Sequence, residues 1–460
     1  LLAMTSNSLP AVLMQGLCLT WVSIQVILKQ IGITRSSLNS EKYTMEDDEV
    51  KKNSVNNAVL PKLVATIMCR DSAKTIGSCI RSFKGAVDHL CITDTGSLDD
   101  TIAIVERECK RIGLPYTLSS FVWCDDFAAA RNFNLNTIPA WADWFIWLDS
   151  DDTLQDGKLL RGMLSGLAPR FGALWLPYYY AFDEFENCTT LFTRERVLRV
   201  SVGWLWKNRV HEVVAPQTQT EHIKAVEVSI KHHHKGTHDR SERNFRLLNL
   251  MLEESPSDKR VWLYMGHQHF ACQNFLDAAE WYVKFSACPE VAEIEKYQAL
   301  TYASRSLRAA HDYDQAVKCD MAALELKPEW ADAYLGLCMN YLSAGLPSKS
   351  LFWGEQALTK QPPDELIFIN PLDYEFNLYV ALSEASMKCG DLNKAIEYVR
   401  HALKHRPVQG LKDNLELYLK AQKRSETVHG LQALANMLVE EGEIVKLAQL
   451  PDLIPAWATE

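Results

Sequence analysis

Three carboxylates and a serine, Asp149-Ser150-Asp151-Asp152, directly follow the apolar run Trp144–Leu148. Two carboxylates one residue apart at a strand end can hold a divalent cation, which neutralises a diphosphate leaving group. Taken alone, the same spacing also fits a solvated turn or a helix cap. A second set, Asp94-Thr95-Gly96-Ser97-Leu98-Asp99-Asp100-Thr101, follows the apolar run Val87–Thr93. Asp94 suits a nucleotide base or ribose as a hydrogen-bond acceptor. Gly96 permits close backbone approach, and Ser97 and Asp99 can cap the next helix; pure turn chemistry accounts for the same residues. In Phe127-Ala128-Ala129-Ala130-Arg131-Asn132 an arginine opens a helix near the strand ends, where it can meet phosphate. Two further sets are Arg209-Val210-His211-Glu212 and His232-His233-His234-Lys235-Gly236 with His238. The histidine run ends the alternating segment Ala225–Lys231, so His232 and His234 share one face and His233 takes the other. A structural His-Glu pair and a solvent-facing basic turn are the plainer readings of these two.

The elements that carry these residues alternate between strand and helix. Leu63–Met68, Val87–Thr93, Leu114–Phe121 and Trp144–Leu148 read as short, largely apolar strands. Ser72–Phe83, Thr101–Ile112 and Phe127–Ile138 show helical spacing between them. Such alternation predicts an α/β, Rossmann-like domain with a mostly parallel sheet, whose ligands lie beyond the carboxyl ends of the strands. The polar sets fall at those ends.

After about residue 255 strand signals stop and amphipathic helices follow one another. Ala316, Asp320, Ala323 and Pro328 share their spacing with Ser350, Gly354, Ala357 and Pro362, and again with Ala395, Val399, Ala402 and Pro407. Ala316 and Ser350 are 34 residues apart, the tetratricopeptide repeat (TPR) period. Tyr334, Leu337, Cys338 and Tyr341 likewise match Tyr379, Leu382, Ser383 and Ser386. A looser unit holds Trp262, Met265, Gly266, Ala278 and Tyr282. This resembles a TPR array over residues 258–408.

The 460 residues carry a net charge of −10, which excludes a broad nucleic-acid surface because phosphate binding needs clustered Lys and Arg. The 12 cysteines are scattered, with no C-x-x-C pair, and read as small apolar residues in a reducing compartment. Ala11–Leu28 is mostly apolar but interrupted by Gln15, Ser23 and Gln25, so it makes no clean membrane anchor or signal peptide. A cytoplasmic location is expected, with membrane association left open.

The order and spacing of four segments resemble the family-two glycosyltransferases of the GT-A fold. They are the strand Leu63–Met68, Asp94-Thr95-Gly96-Ser97-x-Asp99-x-Thr101, Asp126-Phe127-x-Ala129-Ala130-Arg131-Asn132, and Trp144-Phe145-Ile146-Trp147-Leu148-Asp149-x-Asp151. With the trailing repeats the chain is similar to sublancin-type S-glycosyltransferases and to lipopolysaccharide-core transferases. That subgroup shows Lys-Asn after its first strand where this chain has Arg70-Asp71. The resemblance implies a nucleoside-diphosphate sugar as donor and Mg²⁺ or Mn²⁺ held by Asp149 and Asp151, with His234 as third ligand. It implies donor binding by Arg70, Asp94, Gly96, Ser97, Asp99, Arg131, Asn132 and Asp149. Glu212 becomes the general base of an inverting transfer, with His211 beside it on metal or phosphate. The acceptor, a peptide, protein or glycan, would dock on the repeats, and a homodimer is compatible with this reading.

The domains expected are an N-terminal extension over 1–60, a GT-A domain over 61–238, a linker helix over 239–257, repeats over 258–408 and a helical segment over 409–460. The repeats are expected to choose the acceptor and to take no part in the transfer. A nucleotidyltransferase would bring a glycine-rich basic loop near its first strand, but Cys69-Arg70-Asp71-Ser72-Ala73-Lys74 has no glycine. A non-catalytic TPR scaffold with a degenerate transferase domain is the alternative from another class.

Overall fold

The computed structural model describes residues 60–233, 241–363 and 367–440. Its first half is built on β1 (Leu63–Cys69), β2 (His89–Asp94), β3 (Tyr116–Ser120) and β4 (Trp144–Asp149), all parallel in the order β3-β2-β1-β4. Among them run helices α1 (Ile76–Ser82), α2 (Thr101–Ile112) and α3 (Phe127–Leu135). The near-continuous apolar run LVATIMC is what a central parallel strand needs, since helices cover both faces of such a sheet. Leu63, Ala65 and Ile67 join Ile76, Ile80 and Phe83 in one core. Asp126 caps α3 by accepting from Ala129 N, and Gly113, in the left-handed region at φ 71°, ends α2. Register aligns the polar strand ends: Cys69 lies beside Asp94, and Met68 beside Asp149.

β5 (Asp152–Gln155) follows β4, and α4 (Leu160–Ser165) leads to the long antiparallel hairpin of β6 (Phe171–Phe182) and β7 (Cys188–Arg199). β7 pairs antiparallel with β4, so the hairpin extends the parallel sheet on its Asp149 side. β8 (Trp204–Lys207) and β9 (Val213–Pro216) form a separate two-stranded sheet. β10 (Glu221–Lys224) pairs with β6, and β11 (Ser229–His232) lies between β6 and β5. The β5–β11 register sets His232 opposite Asp152. The domain is thus a mostly parallel sheet carrying an antiparallel extension, as the strand pattern predicts for β1–β4. Of β5–β11 only β11 overlaps a segment read from the sequence, the alternation Ala225–Lys231; β5, β8, β9 and β10 are four residues each, and β6 is aromatic-rich.

From Ser241 onward the described residues are helical. α5 (Ser241–Glu254) leads to α6 (Lys259–Ala271) and α7 (Phe275–Ser286), α8 (Glu293–Ala309) and α9 (Tyr313–Leu326), α10 (Ala331–Ser343) and α11 (Pro347–Ala357), α12 (Leu378–Lys388) and α13 (Leu392–His405), and finally α14 (Gln409–Glu440). The small residues found by spacing sit on the second helix of three pairs, and Ala316, Ala323, Ser350, Ala357, Ala395 and Ala402 are buried. Gly354 shows why: a Cβ there would collide with Leu382 and Cys338 of neighbouring helices. Asp320 is also buried at such a position, where its carboxyl oxygen accepts from Ser304 Oγ at 2.6 Å and Asn340 Nδ2 at 2.7 Å.

The helices also grip the sheet domain. Leu191 of β7 and Ile369 exchange two backbone hydrogen bonds of 2.8 Å. Arg406 pairs with Asp183 at 3.0 Å, and Asn187 donates to the carbonyl of His405. Val210 is buried with Leu247, Leu248 and Met251 of α5 and with Val261 and Met265 of α6. Among the described residues no helix is long and apolar enough to cross a membrane. The eleven described cysteines are all unpaired, six of them buried.

Candidate active site

At the carboxyl end of β4, Arg131 links two acids that lie far apart in sequence. Its Nη2 donates to Asp149 Oδ1 and its Nε to Glu212 Oε1, each at 2.5 Å. The guanidinium lies over the Trp147 and Trp206 rings at 4.9 and 4.8 Å, where cation–π attraction adds to the ion pairs. Burial alone would raise the Asp149 carboxyl, but Arg131 and Arg196 more than offset it and hold it well below the usual carboxylate range. Arg131 therefore fixes the first acid of the Asp149–Asp151 motif and the glutamate of the His211–Glu212 turn in one place.

A second cluster lies beside the first. Asp151, Asp152 and His232 bring one ligand atom each to within 4.8 Å of one another. Asp152, with no exposed side-chain area, is the hub beneath it. Its carboxylate accepts from Asp149 N at 3.1 Å and Tyr178 Oη at 2.8 Å, and meets His232 Nδ1 at 2.9 Å. Arg196, equally buried, faces Asp152 at 3.5 Å and is sandwiched between the Trp147 and Tyr178 rings. The His232 imidazole stacks on Tyr180 with ring centroids 4.8 Å apart. Burial would lower the His232 pKa, yet the Asp152 bond and the Asp151 and Asp152 charges raise it above 6.5. Two carboxylates and an imidazole suit a divalent cation, and the same His232 Nδ1 faces both acids, 2.9 Å from Asp152 and 3.7 Å from Asp151. The expected third ligand, His234, lies outside the described residues; His232, on the same face of the alternation, is the histidine in the cluster.

The other singled-out residues mostly organise loops. Asp94 accepts from Gly96 N, Ser97 N and Ser97 Oγ, closing its own turn, in which Gly96 takes φ 100°. Asp99 accepts from Ala73 N, Thr101 N and Thr101 Oγ1, tying the β1–α1 connection to the start of α2. Asp71 accepts from Leu98 N and donates its own N–H to Ser97 Oγ, while Arg70 is half exposed and 3.8 Å from Asp71. The two loops thus form one hydrogen-bonded rim over the strand ends. Asn132 commits both amide atoms to the backbone of Trp206, bonding its carbonyl at 2.9 Å and its N–H at 2.8 Å, and so docks β8 on α3. The His211 ring stacks on Tyr264 of α6, and burial lowers its pKa to about 4, so it is neutral at pH 7.

Part of this geometry lies within a recognisable family segment: residues 64–210, which include Arg131, Asp149, Asp151 and Asp152, match the model of glycosyl transferase family 2. Those residues are a glycosyl transferase family 2 domain. A TPR repeat-containing protein of Synechococcus elongatus is 35% identical over 97 residues, 21% of this chain and 22% of that protein. The SPbeta prophage-derived glycosyltransferase SunS of Bacillus subtilis is 23% identical over 220 residues, 45% of this chain and 49% of that protein. The chain therefore spans half or less of the length of these curated relatives. Among solved structures, MamA is 20% identical with a TM-score of 0.30, covering 36% of this chain and 87% of its own. A TPR protein of Thermus thermophilus is 19% identical with a TM-score of 0.29, covering 39% and 91%.

Around the family 2 domain, the spacing of motifs missed several contributors. Arg196, Arg194, Trp206, Tyr178 and Tyr180 sit on strands whose aromatic and basic residues carry no motif. Asp152 and His232 had a signal, the fourth residue of the acidic run and the face shared with His234. The array, expected to take no part in the transfer, touches the His211–Glu212 turn: Tyr264 stacks on His211, and Arg260 donates to the His211 carbonyl at 3.1 Å.

Proposed function

We propose that the chain is a metal-assisted, inverting glycosyltransferase that moves a sugar from a nucleoside-diphosphate sugar to an acceptor. The observation that carries this is Arg131 joining Asp149, inside the family 2 segment, to Glu212 just beyond it, beside the Asp151–Asp152–His232 cluster. The name of the Bacillus subtilis relative, a glycosyltransferase, supports the same class. Mg²⁺ or Mn²⁺ would be held by Asp151, Asp152 and His232, with Asp149 alongside. When bound, that cation supplies charge neutralisation for the departing diphosphate.

The chain's own groups supply the rest. The rim made by Arg70, Asp94, Gly96, Ser97 and Asp99 faces the nucleoside end of the donor. Arg131 holds Asp149 and Glu212 apart and in register. Glu212 bonds Arg131 through Oε1, so Oε2 is the atom that takes the acceptor proton as the new glycosidic bond forms with inversion. In this reading residues 61–238 are catalytic, 239–257 connect, and 258–408 are repeats that brace the β6–β7 hairpin and present the acceptor, a peptide, protein or glycan. Calorimetric titration with UDP, GDP and dTDP in the presence of Mn²⁺ tests the donor site. One nucleotide should bind only with metal, and Asp151→Asn should abolish the metal requirement together with most of the affinity. Absence of binding by all three, or binding indifferent to EDTA, refutes the proposal.

A further inference from the structure

Glu212 sits in the connection between β8 and β9, and that connection has an uncommon backbone. Asn208 and His211 both adopt left-handed conformations, with φ of 77° and 52°. Non-glycine residues rarely do so, and such backbone persists only where its surroundings over-determine it. The surroundings here are specific. Phe127 N donates to the Arg209 carbonyl at 2.9 Å, and Arg209 pairs with Glu254 of α5 at 2.6 Å. Val210 is buried among apolar side chains of α5 and α6. Arg260 of α6 donates to the His211 carbonyl, and its guanidinium reaches Tyr264 Oη at 3.2 Å. The Tyr264 ring lies parallel to His211, 8° off, with centroids 4.1 Å apart. Arg194 donates to the Glu212 carbonyl at 2.8 Å.

Four of these restraints come from α5 and α6, beyond the 64–210 segment that matches the family model. We infer that Tyr264 and Arg260, on the first helix of the array, are positioning residues for Glu212. They clamp the His211 ring and carbonyl, and through them fix the Glu212 carboxylate against Arg131. The array is on this account a working part of the transferase site. The inference rests on the proposed role of Glu212 as base, and it predicts loss in the chemical step with donor binding untouched.

The test uses the full chain and hydrolysis of UDP-, GDP- and dTDP-hexoses in Mn²⁺, with water as acceptor. Tyr264→Ala should lower kcat by about 10–100-fold, the cost of a small misplacement of a reacting group, and leave the donor KM within about twofold. Tyr264→Phe, which keeps the ring, should restore kcat to near the parent value. If Tyr264→Ala does not fold, Arg260→Met carries the same test. A parent-like kcat in Tyr264→Ala or Arg260→Met, with Glu212→Gln inactive, overturns this inference alone. A fully active Glu212→Gln overturns the base assignment itself.

Discussion

Asp320→Asn should change how the stability of the helical half depends on pH. Asp320 is buried between α8 and α10, against Gly336, where a Cβ would collide with its carboxyl group. Burial pushes its pKa from 3.8 to about 8, although the Ser304 hydroxyl and the Arg308 and Arg305 charges pull the other way. The folded chain therefore keeps the proton at pH values where the unfolded chain has lost it. Stability from this residue is complete below about pH 4 and falls as pH rises towards 8, because folding then demands proton uptake. Each unit is worth about 1.4 kcal/mol, so a span of about four units gives an upper bound of ~6 kcal/mol. That is comparable to the entire stability of a typical domain, ~5–15 kcal/mol. Asparagine has the shape of the protonated acid and can still accept from Ser304 and Asn340, so it should remove this dependence. Urea unfolding followed by helical circular dichroism, for parent and variant from pH 5 to pH 9, measures it. The advantage of the variant should grow by up to about 1.4 kcal/mol per pH unit to about pH 8 and then level off. A difference that stays flat from pH 5 to pH 8 would show Asp320 ionised in the fold and the argument wrong.

Other substitutions separate chemistry from support. Asp151→Asn should reduce donor turnover by orders of magnitude while the melting temperature stays near that of the parent, and a fully active variant would exclude Asp151 as metal ligand. Arg131→Met leaves the half-buried Asp149 and Glu212 without their cation and should destabilise by about 1.5–3 kcal/mol, read by urea unfolding; a parent-like midpoint would contradict the bridge. Asn132→Ala removes two bonds to Trp206 and should cost about 2 kcal/mol with donor KM preserved, so a selective rise in KM would place Asn132 on the donor instead.

The parallel half of the sheet was legible because β1, β2 and β4 are short, nearly uninterrupted apolar runs, the last two ending in acids. The repeats were legible because helix crossing at Ala316, Gly354 and Ala402 leaves no room for larger side chains, which imposes a spacing. The antiparallel extension was not, since β6 and β7 owe their pairing to long-range contacts with β4 and Ile369 that no local pattern encodes. At the site, Asp149, Asp151, Arg131 and Glu212 were found by motif, and the structure adds which of them touch. The hydrogen bonds of Asp94, Asp99 and Asn132 could not be read beforehand, because cap and donor-binding roles call for the same residue types. His232 and Asp152 carried a signal in the acidic run and the alternating face, but their pairing emerges only from the β5–β11 register, and Tyr264 only from the contact of α6 with the His211 turn.

The most direct measurement is nucleotide release from a panel of nucleoside-diphosphate sugars, followed by mass spectrometry with the full chain, with and without EDTA. Metal-dependent release of a nucleoside diphosphate from at least one donor, lost in Glu212→Gln, is the predicted result. Release from no donor in Mn²⁺ or Mg²⁺, or release that EDTA and Glu212→Gln leave unchanged, would contradict the account.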